Sequence, residues 1–140
     1  MKTVLVAVDG SEASLKAARW AADVALRFGS SLRLVHVIPK VVLPPDVYGL
    51  KLVELEREHR AFAESILRKA IARLAEPGLE VHTSVLDGSP AERIAEEAAA
   101  ADVGMVVVGS RGHGAVARVL LGSVSDRVVH ISPKPVLVVH

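Results

Sequence analysis

Short apolar runs recur along the chain and alternate with longer amphipathic stretches. Residues 4–8, 32–38 and 103–108 are largely apolar and lack the strict alternation of a strand with one wet face, so we expect strands buried on both faces of a sheet. Residues 79–86 do alternate between apolar and polar side chains, which predicts a strand near the edge of the sheet. A final apolar run, 135–139, predicts the last strand.

Helical periodicity fills the intervals between these strands. The spacing of apolar residues predicts helices over 12–28, 51–75, 90–101 and 123–131. Ser11 stands at the N-cap position of the first helix, and Gly29 stands where a C-terminal glycine belongs. In the second helix, the apolar positions that we expect to share a face are Leu52, Leu55, Phe62, Ile66, Ala70 and Leu74.

The order of elements, β-α-β-α-β-α-β-loop-α-β, predicts the fold class. Such alternation is typical of a parallel sheet with helices on both faces, a Rossmann-like α/β architecture. Hydrophobic residues make up 51% of the 140 residues and aromatic residues only 3%. The core is therefore aliphatic, as in buried parallel strands covered by alanine-rich helices. Because the chain shows no repeat or linker, we predict one domain over residues 1–140.

Composition narrows the classes of function. The chain has no cysteine, which excludes disulfides, thiolate catalysis and cysteine-ligated metals. Its 17 basic and 16 acidic residues form no long run of one sign, so we expect no nucleic-acid partner. The apolar start is too short for a secretory signal, and no segment approaches the roughly 20 apolar residues of a membrane span. We therefore expect a cytoplasmic protein without membrane contact.

The segment after the fourth predicted strand carries the candidate chemistry. Gly109, Gly112 and Gly114 follow a buried strand, and Gly122 precedes Ser123 at a predicted helix start. Glycines let backbone N–H groups approach an anion closely, and a helix N-terminus adds free N–H groups and the positive end of its dipole. These features predict a phosphate site. The alternative is that the glycines serve a tight turn and Ser123 serves as a helix cap.

Two other nucleotide motifs fit this segment less well. The Walker A loop requires a glycine followed by lysine, and the sequence contains no such pair. Residues 112–117, Gly-His-Gly-Ala-Val-Ala, match the loose dinucleotide pattern G-x-G-x-x-A. However, they follow the fourth strand, whereas the dinucleotide fingerprint follows the first.

The spacing Gly109-x2-Gly112-x9-Gly122-Ser123 resembles the ATP-binding signature of the universal stress protein family. Stretches near both ends of the chain also resemble that family, so that the resemblance covers essentially the whole chain. It implies a five-stranded parallel sheet in the order 3-2-1-4-5. Ligands in open α/β sheets bind at the switch point, here between strands one and four, and Asp9 and Gly109 lie at the ends of those strands.

The resemblance also implies a set of nucleotide-binding residues. Ala7, Val8 and Asp9 would flank the adenosine, and the Val37 backbone would bind the adenine edge. The remaining positions, which would contact the ribose and the phosphates, are Val108, Gly109, Arg111, Gly112, Gly122, Ser123, Val124 and Ser125. A Mg²⁺ or Mn²⁺ ion would lie between phosphate oxygens without protein ligands. Asp9 could instead be a turn residue that caps the first helix.

We predict an ATP-binding signalling or stress-response module with at most slow ATPase or autophosphorylating activity, because no residue stands out to position an attacking water. One alternative is a phospho-receiver domain with Asp87 as acceptor, although no acidic pair accompanies Asp9. Another is a partner-binding domain without nucleotide. The apolar strand 135–139, at a sheet edge in this order, predicts a homodimer formed through that strand.

Overall fold

A computed structural model describes residues 1–40, 44, 49–74, 76–111 and 121–140. The described part contains five strands and four helices in strict alternation. Their bounds are β1 Thr3–Ala7, α1 Glu12–Phe28, β2 Ser31–Ile38, α2 Leu50–Leu74, β3 Val81–Asp87, α3 Pro90–Ala98, β4 Val103–Gly109, α4 Ser123–Ile131 and β5 Val136–Val139. Within this part, no helix is long and apolar enough to cross a lipid bilayer.

The five strands form one parallel sheet in the order β3-β2-β1-β4-β5, which confirms the predicted fold class. Parallel neighbours require crossover connections, and these are right-handed in nearly all proteins. The chain steps outward from β1 through β2 to β3 and then returns to β4 and β5 on the other side. Helices α1 and α2 consequently cover one face of the sheet, and α3 and α4 cover the other.

Side-chain alternation along β1 divides the core into two layers. Val4 and Val6 point to the face covered by α1 and α2, whereas Leu5 points to the face covered by α3 and α4, and all three are fully buried. Alternate residues of a strand point to opposite faces, so a strand covered on both faces must be apolar throughout. This is why β1 shows no polar alternation.

Both ends of α1 form as the sequence predicts. The Ser11 hydroxyl accepts a hydrogen bond from the Ser14 N–H at 3.2 Å, which caps the first turn. Gly29 ends the helix with a left-handed φ of 64°, a conformation that glycine adopts without steric cost. Small alanines on the inner face let the helix lie close to the sheet, and Ala17, Ala21 and Ala25 are fully buried.

In helix α2, one large residue that was predicted to face the core lies on the surface. Phe62 is 63% exposed, although its spacing suggested a core position. The buried positions of the helix are Ala63, Ile66, Leu67, Ala70 and Leu74, so the inner face lies one residue beyond Phe62. Periodicity locates an apolar stripe to within about one residue, and a small alanine can occupy the centre of the stripe when the sheet is near.

A polar network joins the amino ends of three strands. The Thr3 hydroxyl at the start of β1 donates to Asp102 Oδ2 at 2.8 Å, and Arg33 Nη2 of β2 donates to the same oxygen at 2.9 Å. Asp102 directly precedes β4. The Thr3 hydrogen bond is the main cause of a lowered pKa for the Asp102 carboxyl, and the positive charge of Arg33 adds to the shift. This network lies at the amino ends of the strands, whereas the candidate site lies at their carboxyl ends.

Candidate functional site

The candidate site lies where the carboxyl ends of β1 and β4 meet. These two strands are hydrogen-bonded neighbours at the centre of the sheet. The chain leaves β1 toward β2 and leaves β4 toward β5, so that the two connections diverge and leave a crevice between them. This is the topological switch point of the sheet, where open α/β folds bind their ligands.

Strand β2 extends beyond β1 at this crevice, and Val37 lies in the extending part. The residue pairing of β1 with β2 stops at Ala7 and Val35, although β2 continues beside β3 to Ile38. The Val8 N–H donates to the Val35 carbonyl at 2.9 Å. Main-chain groups two residues further along a strand point the same way, so the N–H and C=O of Val37 point toward the β1 side, beyond the last paired residue of β1. Val37 as a whole is buried, with 7% of its surface exposed.

Asp9 organises the turn that enters α1. Its Oδ1 accepts the Ser11 N–H at 2.9 Å, and its own N–H donates to Ser14 Oγ at 3.2 Å. Such Asx turns are a common way to begin a helix. Asp9 is therefore a turn residue at the start of α1, the alternative role that the sequence suggested. The sequence reasoning missed Ser14, which is buried and donates its hydroxyl proton to the Ser11 carbonyl at 2.9 Å.

Gly109 is required by a close approach of α1 to the end of β4. A Cβ atom at this position would lie 2.8 Å from both the carbonyl carbon and the carbonyl oxygen of Ala13. Side-chain carbons do not approach backbone atoms that closely, so another residue would push α1 away from the sheet. Helix packing by itself therefore explains why position 109 of the predicted phosphate motif is a glycine.

Two hydrogen bonds tie the end of β4 to the start of α4. The Gly122 N–H donates to the Ser110 carbonyl at 2.7 Å. The Ser125 hydroxyl, which is 95% buried, donates to the Gly109 carbonyl. The first turn of α4 is therefore held beside the end of β4, next to the switch point. Ser110 also escaped the sequence reasoning, because a carbonyl acceptor leaves no signature in side-chain chemistry.

Among the described residues, no side chain caps the N-terminus of α4. Gly122, which has no side chain, occupies the N-cap position with an extended backbone, φ −61° and ψ 157°. The first N–H groups of a helix have no partner within the helix and carry the positive end of its dipole. Ser123 and Val124 are both exposed at this end. The arrangement suits an anion placed over the start of α4.

Some residues predicted for the site lie elsewhere or outside the described part. Gly112 falls outside the described residues. The Arg111 side chain lines a cavity against α1, and no α4 residue is among the described residues around that cavity. Asp87, the acceptor in the receiver alternative, ends the edge strand β3 and pairs with Arg60 at 3.2 Å. Across the described ranges, no three histidine or carboxylate side chains cluster as metal ligands would.

Comparison with known proteins supports one family. A family model described as the universal stress protein family matches residues 1–140. A universal stress protein of Methanocaldococcus jannaschii is 34% identical over 99% of this chain and 81% of its own length. One of Thermus aquaticus is 37% identical, with coverages of 99% and 98%. One of Mycolicibacterium smegmatis is 40% identical, and this chain spans 47% of its length.

Solved structures show the same similarity in three dimensions. A universal stress protein from Lactobacillus plantarum superimposes with a TM-score of 0.88 at 26% identity, covering 99% of this chain and 97% of that one. A universal stress protein in complex with cAMP has a TM-score of 0.75 at 28% identity, with coverages of 99% and 96%. One from Archaeoglobus fulgidus in complex with dAMP has a TM-score of 0.63 at 25% identity, with coverages of 100% and 98%.

Proposed function

Because this chain belongs to the universal stress protein family, we propose that it binds ATP with Mg²⁺ or Mn²⁺ and acts as a nucleotide-dependent signalling or stress-response protein. The single observation that carries the proposal is the uncapped start of α4, tied by Gly122 and Ser125 to the end of β4. The cAMP and dAMP complexes of similar proteins favour an adenine nucleotide as the ligand.

The proposed nucleotide spans the crevice from β2 to α4. The N–H and C=O of Val37, which point toward the end of β1, pair with the adenine edge. Ala7, Val8 and Asp9 border the adenosine at the end of β1. Around the ribose and the first phosphates we place Val108, Gly109, Arg111 and Gly112.

The terminal phosphates lie over the start of α4. Free N–H groups of the first turn, from Ser123 to Ser125, supply hydrogen bonds to phosphate oxygens, and the helix dipole adds positive potential. The Gly122 N–H already serves Ser110, so this residue contributes close approach rather than a donor. A bound divalent cation would neutralise part of the phosphate charge.

Substitution of Ser123 tests the proposal without disturbing the fold. Ser123 is the first residue of α4, and proline is well tolerated at that position because it lacks only an N–H that the helix does not use. Ser123→Pro therefore removes one proposed phosphate donor. A hydrogen bond to a charged group contributes about 1.5–3 kcal/mol, so we expect ATP affinity to fall about tenfold or more by isothermal titration calorimetry.

Ser123→Ala is the matched control, since it removes the hydroxyl and retains the N–H. We expect it to weaken ATP binding less than the proline variant does. Wild-type ATP affinity in a folded Ser123→Pro protein would refute the proposed phosphate site. Identification of the nucleotide that co-purifies without added ligand would distinguish ATP from AMP, ADP or a cyclic nucleotide. Multiple turnover near 1 per second, the low end for enzymes, would contradict a binding role.

A further inference from the structure

A cavity opens beside the first half of α1, next to the candidate site. Its volume is about 420 Å³, within the range typical of small-molecule sites. Side chains from four parts of the fold converge on it: α1, α2, the residue after Ser110, and the end of β5. The lining residues are Glu12, Ala13, Leu15, Lys16, Arg19, Arg73, Arg111 and His140.

The cavity concentrates positive charge. Four lysine or arginine side chains line it, against one carboxylate, although the whole chain is nearly balanced at 17 basic and 16 acidic residues. That carboxylate, Glu12, is already held by both guanidinium nitrogens of Arg73 at 3.3 and 3.4 Å. Its negative charge is therefore largely neutralised by Arg73 and does little to offset the other cations.

Three of the cations have no counter-ion in the part of the chain that the structure describes. Within the described ranges, Lys16, Arg19 and Arg111 form no ion pair. Like charges that converge on one cavity repel each other. A polyvalent anion would remove this repulsion, whereas a neutral ligand would not.

We propose that this cavity binds a phosphoanhydride chain, a ligand of two or three linked phosphate groups. Such a chain presents several closely spaced negative charges to cations that reach it from different directions. Arginine forks fit phosphate oxygens well, and lysine adds a compact charge. A single carboxylate would satisfy one of these cations and leave the others unpaired.

The occupant that we propose is inorganic polyphosphate, bound independently of the nucleotide. The terminal phosphates of the proposed nucleotide lie over the start of α4, and no α4 residue is among the described residues that line this cavity. Arg111 stands next to Ser110, the residue that holds Gly122, so the cavity begins beside the proposed nucleotide site. Lys16 and Arg19 belong to the cavity and not to that site.

A double substitution on α1 provides the test. Lys16→Gln with Arg19→Gln removes two of the unpaired cations, and both side chains are exposed on the outer side of the helix, so the fold should persist. The control is Arg27→Gln with Lys69→Gln, which makes the same change in net charge at exposed positions outside the cavity. Circular dichroism and melting temperature check the fold of each variant.

Calorimetric titrations with inorganic tripolyphosphate, ATP and AMP then separate the possibilities. We expect the cavity variant to bind tripolyphosphate about tenfold more weakly, the control variant to match wild type, and AMP affinity to stay unchanged in both. Undiminished binding to AMP-saturated protein would identify free polyphosphate as the source. Competition between tripolyphosphate and ATP, with ATP affinity also reduced in the cavity variant, would show that the two ligands share one site and would contradict a separate polyphosphate site.

The proposal is overturned if the cavity variant and the control bind both tripolyphosphate and ATP with equal affinity. Failure of the proposed function has a different signature, since the wild-type protein would then bind neither ATP nor AMP. Tripolyphosphate binding that still depended on Lys16 and Arg19 would in that case support the cavity alone.

Discussion

At the scale of single residues, Gly109 at the end of β4 and Gly122 before α4 are glycines for different physical reasons. Gly109 is needed because the backbone of Ala13 lies 2.8 Å from where a Cβ would stand. Gly122 has an extended backbone with φ −61°, which any residue can adopt. A glycine in a nucleotide motif can therefore reflect helix packing as much as ligand approach.

Alanine substitutions measure this difference. We expect Gly109→Ala to lower the free energy of unfolding by about 1–3 kcal/mol, the usual cost of inserting an atom into a packed site. Gly122→Ala changes an N-cap residue and should cost less, about 1 kcal/mol or below. Urea denaturation of both variants makes the comparison, and equal losses would contradict the assigned role of the α1 contact.

At the scale of elements, local sequence signals predict well where a helix or strand forms. They predict less well which side of a helix faces the core. Helices α1 and α4 begin and end as expected, because caps and apolar periodicity are properties of neighbouring residues. Phe62 shows the limit, being 63% exposed. The face of a helix that packs on the sheet depends on the distance between helix and sheet, and neighbouring residues do not encode that distance.

The polar network of Thr3, Arg33 and Asp102 should make the free energy of unfolding depend on pH. The lowered pKa of Asp102 means that its ionised form stabilises the folded state, and that this stabilisation is full above the unfolded value near 3.8. It is lost as the pH falls through the lower folded value. We expect Asp102→Asn to melt at a lower temperature than wild type at pH 7, and the difference to shrink below about pH 4.

Melting curves between neutral and acid pH would measure this effect. Asp23→Asn is a suitable control, because Asp23 is exposed on α1 and makes no hydrogen bond or ion pair within the described residues. A gap between Asp102→Asn and wild type that stays constant down to strongly acid pH would show that the carboxylate charge contributes nothing.

At the scale of the whole molecule, the sheet leaves an apolar edge at β5. This strand pairs with β4 on one side, and its other side lies at the edge of the sheet. The side chains of Val136 and Val138 pack on one core layer and Leu137 on the other, so what the strand offers a partner is its main chain. An unpaired edge of this kind favours pairing with a second copy, and we propose a homodimer formed there.

Val138→Pro tests that dimer. The Pro135 carbonyl accepts a hydrogen bond from the Val106 N–H of β4 at 2.9 Å, and the Val139 carbonyl accepts one from the Ser110 N–H, just beyond β4, at 2.8 Å. The main-chain groups of Val136 and Val138 therefore point outward. Proline at 138 removes an outward N–H and leaves the β4 pairing intact. We expect a monomer by light scattering, whereas Thr83→Pro on the opposite edge strand should leave the dimer unchanged. A dimeric Val138→Pro protein would rule out this edge.

Charge is also decided at the scale of the whole molecule. Along the sequence, basic and acidic residues are mixed, and the net charge is +1. The fold nevertheless brings Lys16, Arg19, Arg73 and Arg111 around one cavity. A count of charges cannot anticipate such a cavity, because these residues lie on different elements and meet only when the sheet and its helices have assembled.

The sequence by itself determined the alternation of strands and helices and the parallel sheet, and its resemblance to the family implied the strand order. Apolar periodicity, caps and a glycine motif are local patterns, and alternation with right-handed crossovers leaves few topologies. Tertiary structure alone decided that Gly109 packs against Ala13, that the Ser125 hydroxyl bonds to the Gly109 carbonyl, and that β2 extends beyond the end of β1. Each depends on ångström-scale distances between residues far apart in the chain, which local patterns do not specify.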